Sequence, residues 1–451
     1  MRKLLVAVSL GAFASVAAAQ ETIVVYFQKG FYSAEDKAVD DLVEKFTKKT
    51  GVKVELSRYA PQEMIPKTVA ALDAGNPPDM VYGDVFDFQV AGKWAFEGRL
   101  EDVSDIINPM KGKFLPNTIE TTFMYNDKAK KRAYYAFPVK RQTMHIQYWK
   151  DMLAEAGYKE SDIPKTWKAY FDFWCTKVQD GYRKKTGKRV YSVGSPMGVD
   201  SSDSFYSFLT YMDGYNVKLV NDDGKLNLGK QTRDGLINAV RDYTETIGKG
   251  CTPPSAINWK DPDNNVNFHN KTIIMTHNAT ISIAAKWLDD MNNDKLKPEE
   301  RATAKNNYEK LIATSGFPNK PDGKPMQYRA AVKVGVVFNN AKNKKRGKEF
   351  AAFLMQEENL NPYVEGALGR WYPVTKSGAA SKFWTDDPHR KIVHDQFSAG
   401  TVTFEFTKNW KFTILNNENV WAKAMNRVVT DKWTPEKAVD EMIARIKEVA
   451  G

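Results

Sequence analysis

The sequence predicts an α/β protein in which parallel strands are crossed by helices, and three observations lead there. Apolar strand-like runs alternate with runs of helical periodicity from residue 22 to residue 84. Those helical runs stop at Gly and Pro, as helices between strands do. The chain has 451 residues, too many for one ordinary core and suited to two or three domains.

The elements follow in order. TIVVYF, Thr22 to Phe27, reads as a buried strand. Ser33 and Asp36 resemble a capping box, and Leu42, Val43 and Phe46 then form one helical face. VKVEL, Val52 to Leu56, alternates as a second strand. Ile65, Val69 and Leu72 suit a second helix, closed by Gly75 and the Pro77–Pro78 pair. DMVYGD is a third strand ending in a polar turn. From about Ile146 to Met326 runs a second α/β region rich in aromatics. Within it, TWKAYFDFWCTKV puts Phe171, Trp174, Cys175 and Val178 on one helical face, with Thr166 as N-cap. Met291 to Met326 is polar and broken by Pro and Gly, a helix-bearing surface excursion. KNKKRGK, Lys342 to Lys348, opens a helix whose apolar face is Phe350, Phe353 and Leu354. At the end, Thr434 caps, Pro435 takes the first helical position, and Ala438, Met442 and Ile446 are buried. No internal repeat or low-complexity tract interrupts this order.

The first residues predict export. MRK is a basic n-region, LLVAVSLGAFASVA is apolar, and Ala17 and Ala19 frame an A-x-A site. Residues 1–19 are therefore expected to be a signal peptide cleaved after Ala19, giving a periplasmic protein that begins at Gln20. The net charge of +11 falls to +9 when Arg2 and Lys3 leave. The basic residues are dispersed, without the stripe or motif that nucleic-acid binding needs. The five His show no H-E-x-x-H spacing, and two Cys cannot complete a structural zinc site, so no metal or cofactor is expected. In an exported chain Cys175 and Cys251 are expected to form one disulfide, two buried thiols being the alternative.

In a parallel sheet, ligands bind outside the carboxyl ends of the strands. The segments Gln28–Tyr32 and Gly83–Asp87 both follow strands and belong on that edge. GNPPDMVYGDVFDF, Gly75 to Phe88, carries three carboxylates there. Asp84 is placed for binding, with a helix N-cap as its alternative. Asp79 sits at the strand start as scaffold, and Asp87 falls in the first turn of the next helix.

Four blocks then carry a resemblance: GNPPDMVYGDVFDFQVAGKWAFEGRLEDVSDII; YYAFPVKRQTMHIQYWKDMLAEAGY followed by IPKTWKAYFDF; FHNKTIIMTHNATISI; and GRWYPVTKSG. In this order they resemble the family 1 extracellular solute-binding proteins, the carbohydrate-binding subunits of bacterial ABC importers, related to maltose-binding protein. The resemblance covers nearly the whole mature chain. It implies a periplasmic-binding-protein-like fold, two α/β lobes joined by hinge crossings with a ligand cleft between them. The crossings fall near Arg141, Tyr328 and Ser381. The N-terminal lobe would then be residues 20–141 and 328–381, and the C-terminal lobe 142–327 and 382–451. The resemblance also implies hinge closure over ligand, membrane permease subunits as partners, a monomer, and no catalysis.

Sugars offer hydroxyls to Asp, Asn and Gln, and C–H faces to aromatic rings. The residues expected at the ligand are Lys29, Gly30, Tyr32, Tyr82, Gly83, Asp84, Gln142, Thr143, Asn278, Thr280, Arg370 and Trp371. Gly30 is expected to let backbone N–H groups approach ligand. Asn278-Ala279-Thr280 replaces the Gly-Trp of many relatives, so Trp371, Tyr32 or Tyr82 would supply the stacking surface. Lys140-Arg141 also departs from the pattern. If Lys29, Lys140, Arg141 and Arg370 converge, an anionic or phosphorylated solute becomes the alternative ligand. A polyamine binder would want several converging acids. A secreted carbohydrate-active hydrolase would need two carboxylates about 5–5.5 or 6.5–9.5 Å apart.

Overall fold

The strands sort into two sheets in the computed structural model, which describes residues 20–451. The expected signal peptide lies outside the described residues. The first sheet runs, edge to edge, through Lys53–Tyr59, Thr22–Gln28, Met80–Gly83, Ala331–Val336 and Phe137–Gln142. Its first three strands are parallel, as the strand–helix–strand pattern predicts. Ala331–Val336 returns from far along the chain and pairs antiparallel on both sides. The second sheet runs through Ile312–Ser315, His145–Trp149, Ile273–Asn278 and Tyr191–Gly194. Each sheet is covered by helices, so the chain forms two α/β lobes.

Only Thr143 and Met144 separate the last strand of the first sheet from His145–Trp149 of the second. Beside this passage a short parallel ribbon pairs Tyr328–Arg329 with Thr401–Val402. Arg141 and Tyr372 exchange backbone hydrogen bonds of 2.7 and 2.9 Å alongside it. Three stretches of chain therefore pass between the lobes together. A buried cluster fastens them: Arg329 Nε donates to both carboxylate oxygens of Asp213 at 2.8 and 3.0 Å, and its Nη1 pairs with Glu405 at 2.5 Å.

Local chemistry accounts for the elements, with four corrections to the sequence reading. Helix Ser33–Thr50 has no side-chain cap from Ser33. Instead Asp36 and Glu35, carboxylates favoured in a first turn, reach back to the Gly30 and Phe31 N–H groups of the turn before the helix at 3.0 and 2.7 Å. The second strand runs on to Tyr59, beyond Leu56, since it pairs along the whole of Thr22–Gln28. Thr166 stands at the N-cap position, but its side chain caps nothing. The surface excursion contributes strand Ile312–Ser315, which closes the edge of the second sheet against His145–Trp149; its four residues are too short to show a period. Thr434 caps helix Pro435–Ala450 by accepting from Lys437 N–H at 3.3 Å.

Cys175 and Cys251 are joined as a disulfide across a sequence separation of 76. It ties the helical segment that follows Trp167 to the turn after helix Lys230–Gly248. Among the described residues no helix is long and apolar enough to cross a membrane. None of their His, Cys, Asp and Glu side chains gather in a group of three or more that could hold a metal ion.

Candidate functional site

The carboxyl ends of Thr22–Gln28 and Met80–Gly83 and the end of Phe137–Gln142 meet the end of Ile273–Asn278 from the other sheet. Between them is a narrow cavity of about 40 Å³. Gln28, Phe31, Asp84, Lys333, Arg370 and Trp371 line it from the first lobe, with Gln142 at the crossing. Ser202, Asp203, Tyr206, Asp261, Asn278, Ala279 and Thr280 line it from the second.

Three buried cations on the first-lobe side each have a carboxylate of their own. Arg370 Nη1 pairs with Glu35 at 2.7 Å, and Trp371 Nε1 donates to the other Glu35 oxygen at 2.9 Å. The Arg370 guanidinium lies over the Phe31 ring at 3.7 Å. Lys140 sits 3.4 Å from Asp84 and over the rings of Trp371 and Tyr82, at 4.2 and 5.1 Å. Lys333 reaches Asp87 at 3.2 Å and donates across the cleft to the Tyr206 hydroxyl at 2.6 Å.

Asp84 is the most tightly held of these groups. It accepts from Gln28 Nε2 at 2.5 Å and from the Tyr82 hydroxyl, while its own N–H donates to Gln28 Oε1 at 2.9 Å. Burial pushes its carboxyl up, but Lys140, Arg370 and the Tyr82 hydrogen bond outweigh that and hold it below the usual range. Asp87 differs. Burial pushes it up to about 6 despite Lys333. Both partners of that pair move toward neutrality, and Lys333 falls for the same reason.

The second-lobe wall is built otherwise. Helix Ser202–Gly214 presents Asp203 and Tyr206 from its first two turns. Asp261 accepts from the Ser201 and Ser202 hydroxyls at 2.7 and 2.8 Å and from Asp203 N–H at 3.1 Å. Among the described residues the Asp203 carboxylate has the Asn264 amide beside it but no salt bridge, although the residue is 8% exposed. Burial and the neighbouring Asp261 push it well above the usual range. Asn278 is held by Asn265 and Ser282, with Nδ2 donating at 2.6 and 3.2 Å.

Half of the residues expected at the site line this cavity: Asp84, Gln142, Asn278, Thr280, Arg370 and Trp371. The rest stand elsewhere. Lys29 is exposed beyond it. A Cβ on Gly30 would lie 2.5 Å from that of Glu35, so this glycine makes room for the Arg370 partner rather than for ligand. Tyr32 is buried and donates to the Ala367 carbonyl at 2.6 Å. Tyr82 is fully buried beneath Asp84 and stacks on nothing that enters. A Cβ on Gly83 would meet the Phe86 ring at 2.8 Å. Thr143 faces a smaller cavity at the crossing beside Arg329. Asp84 is not an N-cap either, since the next helix starts at Phe86 with Val85 before it. Asp79 accepts from the Val24 and Asn343 N–H groups at 2.9 and 2.7 Å, a structural clamp. Sequence reasoning missed Gln28, Phe31, Asp203, Tyr206, Asp261 and Lys333. A lone lysine inside AAVKVGVV was a signal for the last, because apolar strands seldom carry one without a buried partner.

The family model described as bacterial extracellular solute-binding protein matches residues 41–392. The chain belongs to that family. No curated protein matches its sequence significantly. Several solved solute-binding proteins share its fold at low identity. One, from Thermotoga lettingae TMO, was solved as an ABC transporter solute-binding protein bound with alpha-D-tagatose. It is 19% identical with a TM-score of 0.76, over 96% of this chain and 100% of that one. A second, from Agrobacterium radiobacter K84 in complex with ribitol, is 16% identical with a TM-score of 0.70, over 95% and 98%. The maltotriose-binding protein of Thermus thermophilus is 18% identical with a TM-score of 0.69, over 95% and 100%. In this solute-binding protein the cleft between the lobes has the parts of a small-molecule site: ring faces, a few fixed polar groups, and little solvent access.

Proposed function

We propose that the chain is the substrate-binding subunit of an ABC importer, capturing a sugar or a related polyol and passing it to a membrane permease. The observation that carries this is the make-up of the cleft. Fixed acceptors and amides (Asp203, Gln142, Asn278, Thr280) face one another beside the rings of Phe31, Trp371 and Tyr206. Vicinal hydroxyls need that mixture, and ring faces bury sugar C–H groups. Family membership and sugar- or polyol-bound structural relatives support the reading.

The anion reading has less support. Of the four cations that would seat a phosphate, two stand apart. Lys29 is exposed, and Arg141 stacks on Phe397 at 4.6 Å beside the crossing. Lys140 and Arg370 already have carboxylates.

In this reading, residues 20–141 with 328–381 and residues 142–327 with 382–451 move as two bodies about the crossings. The protein acts in the periplasm as a monomer after loss of residues 1–19, and it binds without turnover. A thermal-shift screen of monosaccharides, disaccharides and polyols on the mature protein tests the reading, with calorimetry on each hit. One-to-one binding with no release of reducing ends is the expected result. Multiple turnover of an oligosaccharide would promote the hydrolase instead, and a response to sugar phosphates alone would promote the anion binder.

A further inference from the structure

We propose that the ligand carries a protonated amine, as an amino sugar or an aminated polyol does, and that Asp203 receives it. This rests on the sugar-or-polyol reading and narrows it.

The argument is a charge count around the cleft. Arg370, Lys140 and Lys333 are spoken for by Glu35, Asp84 and Asp87, all on first-lobe elements. On the facing wall, Asp203 and Asp261 form no salt bridge among the described residues, and Arg370 and Lys333 act on Asp203 only from a distance. The donors to Asp261 are two hydroxyls and one N–H, all of them neutral groups. Asp203 has one amide neighbour, the Asn264 side chain, and no counter-ion of its own, and it lines the cavity from the first turn of its helix. A buried carboxyl without a counter-charge is costly to ionise, and a bound hydroxyl relieves only part of that cost, whereas a bound cation favours the ionised form. A ligand ammonium supplies both the missing charge and up to three donors. The remaining wall groups, Gln142, Asn278 and Thr280, suit hydroxyls, so a bare diamine would leave them unmatched. The amine therefore belongs on a polyhydroxylated body.

Matched ligands decide the matter by calorimetry at pH 7 on the mature protein. Glucose, galactose and sorbitol are compared with glucosamine, galactosamine and 1-amino-1-deoxysorbitol, and with the N-acetylated sugars. The amine of at least one pair is expected to bind about ten-fold tighter or more than its neutral partner, by the strength of charge-assisted hydrogen bonds. Acetylation should erase the gain. So should Asp203→Asn, checked for folding by its melting temperature. Equal or tighter binding of the neutral partners would overturn the inference and leave sugar binding intact. Retention of the amine preference in folded Asp203→Asn would also overturn it, as would tighter binding of putrescine than of any aminated sugar. Failure of every neutral and aminated sugar to bind would remove the underlying reading as well. The wild-type pairs decide even if the variant does not fold.

Discussion

Removing the Asp84 carboxylate should unsettle the first lobe before any ligand is present. In Asp84→Ala, Lys140 keeps its burial, with a side chain 7% exposed, and loses its counter-charge. Breaking a buried pair from one side costs about 3–5 kcal/mol. The Gln28 amide and the Tyr82 hydroxyl lose their acceptor too, each worth about 1–3 kcal/mol if nothing replaces it. These losses do not simply add. Lys140 still faces the rings of Trp371 and Tyr82, and burial already lowers its affinity for a proton, so it can shed the charge. A net loss of about 3–5 kcal/mol is expected. Asp84→Ala/Lys140→Met removes the stranded charge and should recover much of it. Urea unfolding of ligand-free protein, followed by tryptophan fluorescence at pH 7, measures all three proteins. Lys140 and Arg370 hold Asp84 below its ordinary value, so its stabilisation is present above the usual carboxylate range and lost as pH falls through the folded value. The acid limb of the single variant should therefore be shallower than wild type. A loss under about 1 kcal/mol, the size of a helix cap, or a double variant no more stable than the single, would refute the electrostatic account.

Three further outcomes follow from the same geometry. Replacing both Cys175 and Cys251 by Ser opens a loop with a sequence separation of 76, which the chain-entropy relation values at about 4 kcal/mol; free-thiol titration of unreduced protein checks the bond itself. His277 is buried with both ring nitrogens unpartnered, and burial pulls it down to about 3. Its unfolded form binds a proton that the folded form refuses, so between about pH 6 and pH 4 it costs stability at about 1.4 kcal/mol per unit as pH falls. His277→Phe should lessen the acid sensitivity of urea midpoints measured at pH 6 and 5 by that amount, and an unchanged pH dependence would disprove the assignment. Arg329→Leu strands Asp213 and Glu405 at the crossing and should cost about 3–5 kcal/mol in thermal or urea unfolding, partly regained by adding Asp213→Asn.

The sheets were legible where period and punctuation agreed. Thr22 to Gly83 showed alternating apolar strands, helical faces and Gly–Pro stops, and the first three strands pair in parallel as expected. Strand Ile312–Ser315 was not legible, because four residues in a polar stretch carry no period. At the cleft, topology put Asp84 on the edge that lines the cavity, while Gln142 and Asn278 came from the resemblance. Rotation about the strand end was not legible. Lys29 and Gln28 are neighbours, yet one faces solvent and the other grips Asp84. Asp203 and Asp261 come together only through the packing of a helix against a loop 58 residues away, a juxtaposition with no local signature.

The hydrogen bond from Lys333 to Tyr206 spans the two lobes, and what it leaves behind on release matters. Parting the lobes strips Lys333 of a neutral phenol while Asp87 stays with it on the same side. Arg370 and Lys140 likewise keep Glu35 and Asp84. Opening at these three points strands no buried charge on the first lobe, so each cation there carries its counter-ion through the motion and the hinge need break no salt bridge to move.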